Sequence, residues 1–422
     1  MKIKVASLWM MITGISLFAQ DSITLTDCHR LATENAPRME DSEVIRTIES
    51  LKISKIARNW LPELNVNGKI TYQSDVVTVA LENAPIPVEF PEVPQDQYAL
   101  NLDLSQTLYD GGINSRKKNL EKTDADVELQ QVKVDLYGIR EQVNQLFFTT
   151  LVLQENLLNL GISLENLVSR REVLQTSFEN GVVQESDLMA VDVEILRLRQ
   201  AMVEIETNKK SCLETLEVLC GIEFREETIL LKPDPDSLEE KEGERPEYHL
   251  FELKEASIDA GRELLKRKRI PVLYAFGQTG YGKPGYNMLN DQWDFYYMVG
   301  AGLRWNIWDW NQSGQEAMVM EQQKRLLKNR RAAFDRQIAS RSVREKARIA
   351  QYRRILELDE QVLELQQEIA ERAATKLEFG TVTATDYLIE LNREIQARIK
   401  LTTDQIRLLQ SFVNELTLRG KL

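Results

Sequence analysis

Gly380-Thr381-Val382-Thr383-Ala384-Thr385-Asp386 repeats the pattern of Gly181-Val182-Val183-Gln184-Glu185-Ser186-Asp187, which lies 199 residues earlier in the chain. Gly, Val, a small hydroxyl residue and Asp recur at matching offsets, and each copy interrupts a very long helical pattern. A glycine takes the left-handed conformation that ends one helix, and a Ser/Thr-Asp pair a few residues on caps the start of the next. Each turn is therefore predicted to be the tip of a helical hairpin.

The flanking sequence supports that reading. No proline occurs from Gln95 to Lys232 or from Gly285 to Leu422, and an interior proline would cost a helix about 3 kcal/mol. Before the first turn, apolar residues recur in steps of three and four: Leu129, Val132, Leu136, Ile139, Val143, Leu146, then Leu153, Leu157, Leu160, Leu164, Leu167, Leu174 and Phe178. Only Thr150 and Arg171 break this heptad seam, which specifies helix-on-helix supercoiling. A helix from Ile113 to Asn180 would be about 100 Å long at 1.5 Å per residue. After Gly181 the seam resumes through Leu188, Val191, Ile195, Leu198, Met202, Ile205, Cys212, Leu216 and Leu219. In the second half, a helix from about Ser313 to Leu377 is expected to pack through Ile355, Leu358, Val362, Leu365 and Ile369, and its return partner through Leu388, Leu391, Ile395, Ile406, Leu409, Val413 and Leu416.

Four segments have the other periodicity. Leu64, Val66, Gly68, Ile70 and Tyr72 alternate with Asn65, Asn67, Lys69 and Thr71, which describes a strand with one oily and one wet face. Tyr98, Leu100, Leu102 and Leu104 form a second such series, and Tyr297, Val299, Ala301, Leu303, Trp305 and Ile307 another. The segment from Val272 to Tyr281 is ambiguous in phase, because Tyr274 and Phe276 compete with Leu273 and Ala275 for the apolar side. The strands are placed at about 61–73, 96–109, 271–281 and 295–308. A proline-rich connection, Ala84 to Pro94, joins the first two.

These elements give a layout of two halves. Residues 1–20 have signal-peptide anatomy: Lys2 and Lys4, an apolar run from Val5 to Phe18, then Ala19-Gln20. A first repeat spans 21–232, an acidic connector 233–245 and a second repeat 246–422, with Pro246 and Pro271 spaced like Pro37 and Pro62. The net charge of −13 argues against a nucleic-acid partner. Cys28, Cys212 and Cys220 are too few and too scattered for a disulfide framework, and Cys212 and Cys220 are expected to pack as small apolar residues. His29 and His249 have no ligand spacing, and Gly280-Tyr281-Gly282-Lys283 lacks the glycine spacing of a phosphate loop. No enzymatic activity, cofactor or metal is expected. Between Lys324 and Arg354 twelve Lys or Arg face only Asp335 and Glu345. That stretch is either a basic functional surface or a solvated face balanced by acids on neighbouring helices.

Four strands with an oil-facing side cannot close by themselves, and in a bilayer an open edge leaves backbone groups unsatisfied at several kcal/mol each. Other copies of the chain must complete a barrel. Two copies give eight strands, a lumen that side chains would fill, whereas three give twelve and an open one. Leu25-Thr26 with Ala32 to Pro37, Leu61-Pro62-Glu63-Leu64, Leu104 to Gly112, Arg245-Pro246-Glu247, Trp308-Asp309 and the two Gly-x5-Asp turns together resemble the TolC-like outer-membrane factor family, over nearly all of the sequence after residue 20.

The resemblance implies an α+β membrane protein. Its four strands would join a trimeric, twelve-stranded outer-membrane β-barrel, continuous with a long α-helical coiled-coil periplasmic tunnel. It also implies a homotrimer in contact with outer-membrane lipid, a periplasmic adaptor protein and an inner-membrane transporter, for efflux or type I secretion. Gly181, Val182, Ser186, Gly380, Val382 and Thr385 would form adaptor-docking tips. Asp386 would narrow the pore entrance, with Asp187 as its counterpart on the other hairpin, more often a hydrogen-bonding residue than a pore ring. The chain departs from some relatives at Leu377, where they have a tyrosine, at Val382, where they have an arginine, and at Ile389, where they have a second acidic ring. The rival reading is an exported structural or adhesive coiled-coil protein, which needs no half-oily strands.

Overall fold

A computed structural model of the chain describes residues 22–77, 93–224, 228–234, 243–288 and 291–422. The expected signal peptide at 1–20, most of the proline-rich connection and most of the expected acidic connector fall outside the described residues. In chain order the elements are β1 (Ser22–Ile23), α1 (Leu25–Glu34), α2 (Arg38–Ala57), β2 (Glu63–Tyr72), β3 (Asp96–Tyr109), α3 (Ile113–Glu179), α4 (Glu185–Cys220) and β4 (Ile229–Leu230). They continue as α5 (Pro246–Arg267), β5 (Val272–Lys283), β6 (Asp294–Arg304), α6 (Gln312–Glu378) and α7 (Ala384–Arg419). Helices α3 and α6 have 67 residues each, and α4 and α7 have 36 each. Two compact units divide the chain, one of residues 1–39, 133–246 and 334–422, the other of residues 40–132 and 247–333.

The first unit is helical, with two apolar cores. One core gathers Cys28 and Ala32 of α1, Val143, Phe147, Phe148 and Leu151 of α3, Leu216 and Cys220 of α4, and Ile406, Leu409 and Val413 of α7. Here α1 is fixed at its start by a Thr24–Asp27 capping box. A two-residue parallel pairing, Ser22–Ile23 with Ile229–Leu230, holds the start of the described chain against the segment after α4. Cys220 Sγ–H donates to the Cys28 carbonyl at 3.7 Å, so the cysteine that packs with Cys220 is Cys28, while Cys212 is only half-buried. His29 shares this interior. Its Nε2 meets Asn144 Oδ1 at 2.7 Å, and Asn144 Nδ2 donates to Thr417 Oγ1 at 3.0 Å. Burial pushes the imidazole down to about 4, against the Asn144 hydrogen bond that opposes the shift.

The second core lies under the hairpin turns and holds Leu167, Leu174, Val191, Leu377, Ala384, Tyr387 and Leu388, among others. The expected α3–α4 seam is there: Leu160, Leu167, Leu174, Leu188, Val191, Ile195 and Leu198 are buried. Arg171, one of the two breaks in that seam, reaches across to Asp192 of α4 at 3.0 Å. The other, Thr150, is buried and turns its hydroxyl back onto the Leu146 carbonyl at 2.8 Å.

The expected α6 seam is corrected. Leu358, Val362, Leu365 and Ile369 are exposed in the single chain, and α6 instead buries Glu345, Asp359, Ala370, Ala374 and Leu377. The polar members of that set meet cations: Lys400 of α7 bridges Asp359 at 3.3 Å and Asp404 at 2.5 Å, and Arg348 pairs with Glu345 Oε1 at 2.9 Å, while Glu345 Oε2 is buried with no hydrogen-bond partner among the described residues. Periodicity identifies an apolar stripe but not whether its partner lies in the same chain. The basic stretch is partly balanced as well. Within this unit Arg341 forks onto Glu141 at 3.1 and 2.8 Å, and Arg353 lies over the Phe412 ring.

The second unit carries the sheet, ordered β2-β3-β5-β6 with every neighbour antiparallel, so that among the described residues β2 and β6 are open edges. The register aligns the alternating series: Leu64, Val66, Gly68 and Ile70 oppose Leu104, Leu102, Leu100 and Tyr98. Leu104, Leu102 and Leu100 in turn oppose Gly277, Thr279 and Tyr281, and those oppose Val299, Tyr297 and Phe295. This resolves β5. Leu273, Ala275, Gly277, Thr279 and Tyr281 share the apolar face, and Tyr274 and Phe276 take the other. Tyr274 and Phe276 lie there because β6 places Gly302 and Gly300 opposite them; a Cβ at Gly300 would come within 2.6 Å of the Phe276 ring. The fourth strand, expected to reach 308, ends at Arg304, and the third extends to Lys283. In this unit Lys324 pairs with Asp259 at 2.7 Å and Glu255 at 3.3 Å, and Arg331 covers the Tyr248 ring.

Candidate functional site

Two features stand out: the paired helical turns of the first unit and the apolar sheet face of the second. At the first turn Gly181 has φ 73° and at the second Gly380 has φ 65°. Each closes its helix by the same two bonds. Val182 N–H reaches Ser177 O and Gly181 N–H reaches Phe178 O, both at 2.9 Å, and Thr381 and Gly380 repeat this onto Lys376 and Leu377, also at 2.9 Å. That is a Schellman ending, which requires a left-handed residue where glycine pays no Cβ penalty.

The starts of the returning helices differ from the expectation. Ser186 and Thr385 are not caps; both are exposed one residue short of the aspartate. The N-caps are Gln184 and Thr383, and Asp187 and Asp386 sit three positions inside their helices. Asp386 Oδ2 accepts from the Thr383 backbone N–H at 3.1 Å and from its hydroxyl at 2.7 Å, and the Asp386 N–H returns to Thr383 Oγ1 at 3.2 Å. The Thr383 hydroxyl, and then its N–H, hold the exposed Asp386 carboxyl below the usual carboxylate range. Thr383-Ala-Thr-Asp386 is readable in the sequence as a capping box, with Asp in place of Glu.

Asp187 does two things at once. Its Oδ2 accepts from the Gln184 N–H at 3.1 Å, capping its own helix, and its Oδ1 accepts from the Ala384 N–H at 2.8 Å, capping the helix of the other hairpin. The hairpins also meet where the Val182 carbonyl abuts Gly380, since a Cβ there would lie 2.7 Å from that oxygen. Nearby, Arg170 of α3 pairs with Glu378 at the end of α6. Tyr387 is buried between them, and burial pushes its phenol up. Val182 is exposed and Val382 half-buried, packed on the core. Leu377 is fully buried beneath the turn, and Ile389 is exposed. Arg170 and Glu378 carry a contact that the turn motif itself did not reveal; no sequence period couples residues 208 apart.

The sheet face is the larger feature. Leu64, Val66, Ile70, Leu100, Tyr281, Phe295, Tyr297, Val299 and Leu303 lie on it, and Val299 at its middle is 77% exposed. At one end Trp293 stacks near Tyr281 at 5.4 Å and Tyr98 at 5.7 Å. At the other, Trp308 and Trp310 meet edge-on at 5.8 Å, beside Trp305. The opposite face is polar: Asp103 accepts from Asn67 at 2.5 Å and from Gln278 at 2.6 Å. Among the described residues no helix is long and apolar enough to cross a membrane, and no group of three or more His, Cys, Asp or Glu could hold a metal ion.

The sequence matches no family model and no curated protein. Solved structures do match. The transmembrane channel CusC aligns with a TM-score of 0.68 at 12% identity, over 93% of this chain and 90% of that one. The outer membrane protein VceC of Vibrio cholerae aligns at 0.64 and 12% identity, over 94% and 96%. The MtrE outer membrane channel of Neisseria gonorrhoeae, in its open state, aligns at 0.65 and 12% identity, over 94% and 88%. The chain therefore has the fold of these outer-membrane channel chains, the TolC-like fold that the sequence resemblance implied.

Proposed function

We propose that this chain is the outer-membrane exit duct of a tripartite efflux or type I secretion system, a passive conduit that makes and breaks no bond. The observation that carries this reading is the four-stranded sheet with one continuous exposed apolar face and two open edges. Such a face is costly in water and favourable in lipid, but in lipid both edges must be paired. Because the four strands alternate in direction, β6 of one copy can pair antiparallel with β2 of the next, and any number of copies closes without a parallel junction. Three copies give twelve strands. The ten residues of β2, tilted by roughly 40°, cover about 25 Å of height, the span of a barrel's apolar band. Aromatic residues lie at both ends of that band, as at the two interfaces of a membrane barrel.

The helices form the periplasmic tunnel in this reading, and the equal lengths of α3 and α6 and of α4 and α7 support an internal duplication, 21–232 and 246–422. The tips, with Gly181, Val182, Ser186, Gly380, Val382 and Thr385, meet a periplasmic adaptor, and an inner-membrane transporter supplies the energy. Asp386, exposed and ionised, is the pore-facing charge; three copies would repel one another and favour cations, with a strength that falls as salt rises. Asp187 joins the two hairpins of one chain. Opening is a shift of one hairpin against the other that breaks the Asp187–Ala384 and Arg170–Glu378 contacts.

The test is extraction and conductance of the full chain. Recovery only with detergent, a heat-modifiable trimer on a gel and ion current across a planar bilayer are expected. A chain that stays soluble and monomeric without detergent would refute the reading and leave the exported coiled-coil alternative.

A further inference from the structure

The two ends of the sheet differ in charge. At the end where β3 and β6 finish, α5 closes with the run Lys266-Arg267-Lys268-Arg269, and α3 begins with Arg116-Lys117-Lys118. These come together: the aliphatic part of Arg267 lies against Gly112, 3.9 Å from where a Cβ would stand. Glu263 feels Lys266 first, by a hydrogen bond, and then Arg116 and Arg267, which hold its carboxyl below the usual range. Only two of the seven cations have an ion-pair partner among the described residues, Lys266 with Glu263 at 2.5 Å and Arg269 with Asp309 at 3.9 Å. Asp309 is itself engaged by the N–H groups of Asn311 at 3.0 Å and Ser313 at 3.1 Å. The opposite end of the sheet carries Asp75, Asp96, Asp291 and Asp294, with Lys283 bound to Asp291 at 3.1 Å.

The cationic end also adjoins the apolar face. Trp305 continues the alternating series of that face beyond Leu303, and its indole N–H donates to the Arg269 carbonyl at 3.0 Å. Arg269, Trp305, Trp308, Trp310 and Asn311 line a cavity of about 570 Å³. A cation beside indole rings, at the rim of a surface that needs lipid, suits a molecule with an acyl chain and an anionic head.

We propose that the end of α5 and this tryptophan-lined cavity bind the phosphate of an anionic glycerophospholipid, with Lys268 and Arg269 as the principal cations and Arg267, Lys117 and Lys118 as the surrounding field. The inference rests on the barrel reading and adds a lipid preference to it: the leaflet next to the helices is the one the chain selects. The acidic end would repel the same headgroup, so the collar also orients the barrel in the membrane.

The experiment uses the full-length oligomer in nanodiscs of neutral phosphatidylcholine doped with phosphatidylglycerol, and native mass spectrometry counts the lipids retained after detergent release. Insertion into phosphatidylcholine alone tests the barrel reading without the collar; failure there overturns both. Given insertion, the wild type should retain phosphatidylglycerol in clear preference to phosphatidylcholine. A charge near an anionic surface is worth roughly five-fold in affinity, so Lys268→Gln with Arg269→Gln should lower the preference on the order of 25-fold. Arg336→Gln with Lys209→Gln, which removes the same charge from the other unit, should not. Equal retention of the two lipids by the wild type, or an unchanged preference in the α5 variant, overturns the proposal. So does displacement by millimolar glycerol phosphate, which would make this a site for free phosphate rather than for lipid.

Discussion

Replacing Asp187 with alanine separates the two jobs of that carboxylate. The side chain accepts from Gln184 N–H at 3.1 Å and from Ala384 N–H at 2.8 Å. Loss of a capping acceptor costs a helix about 1 kcal/mol. The Gln184 bond is internal to the first hairpin and persists whatever the hairpins do relative to each other. The Ala384 bond exists only while the tips touch, so Asp187→Ala should weaken the touching conformation by about 1 kcal/mol, a shift of about five-fold toward separated tips. Asp386→Ala is the contrast, because all its bonds are to Thr383 within its own turn. It should alter cation preference and leave the ratio of conducting to closed states as it was. The assay is single-channel recording of both variants in planar bilayers, with amide hydrogen exchange followed at Ala384. Unchanged open probability in Asp187→Ala together with unchanged protection of the Ala384 amide would refute the coupling. Unchanged cation preference in Asp386→Ala would remove that residue from the pore entrance.

Three further outcomes follow from the same geometry. Val299→Lys places a charge at the middle of the apolar face and should cost about 2–4 kcal/mol of barrel stability, whereas Met298→Lys, on the opposite face, should be tolerated; equal yields of heat-modifiable oligomer would contradict the face assignment. Gly380→Ala and Gly181→Ala each carry the left-handed penalty of about 1 kcal/mol, but only the former also drives a methyl against the Val182 carbonyl, so amides at Val182 to Asp187 should exchange faster in Gly380→Ala alone, and equal effects of both would count against the tip contact. His29, with its folded value near 4 against an ordinary 6.5, takes up its proton more readily when unfolded, so its contribution is whole above pH 6.5 and falls by about 3 kcal/mol as the pH drops to 4. His29→Gln should flatten the stability profile in that window, and superimposable slopes would refute the account.

Elements with one dominant period were legible from the residues. The proline-free runs, bounded by the strand ends and the turn glycines, located α3 and α6 to within a residue or two, and the turn glycines were placed by the conformation that only glycine adopts freely. Strand β2 was readable because every second residue is apolar. Strand β5 was not, because its face is decided by the room its neighbour leaves: Gly300 and Gly302 admit Phe276 and Tyr274 on the polar side, a fact about the pairing and not about β5. The exposed seam of α6 was misread for a related reason. Leu358, Val362, Leu365 and Ile369 have the spacing of a buried stripe, and only three-dimensional neighbours tell whether α7 or another chain covers it. At the tips both aspartates take part in capping, but Ser186 and Thr385, the hydroxyls the motif pointed to, do not cap. The bond from Asp187 to Ala384 spans 197 residues, beyond the reach of any local pattern.

The two units make the same demand separately. In the sheet unit, among the described residues, β2 and β6 have unpaired edges and the apolar face lacks cover. In the helical unit, α6 exposes Leu358, Val362, Leu365 and Ile369, and α4 exposes Met189, Val193, Leu196 and Val203, spaced by three, four and seven residues. Lipid can cover the sheet face, but it cannot pair the edges, and it cannot reach heptad stripes flanked by Glu357, Glu360, Glu364 and Glu368. Helical stripes of that kind are buried by other helices. In the proposed assembly another copy would supply a strand edge for β6, and helices of another copy a stripe for α6. In the proposed barrel the paired surfaces differ, β2 from β6 and α4 from α6, so the contact would be heterologous and would propagate around a ring until it closed. A two-fold pair in which one surface meets itself would leave an edge open. On that reading the sheet sets a lower bound on ring size, because eight strands leave no lumen whereas twelve leave an open one.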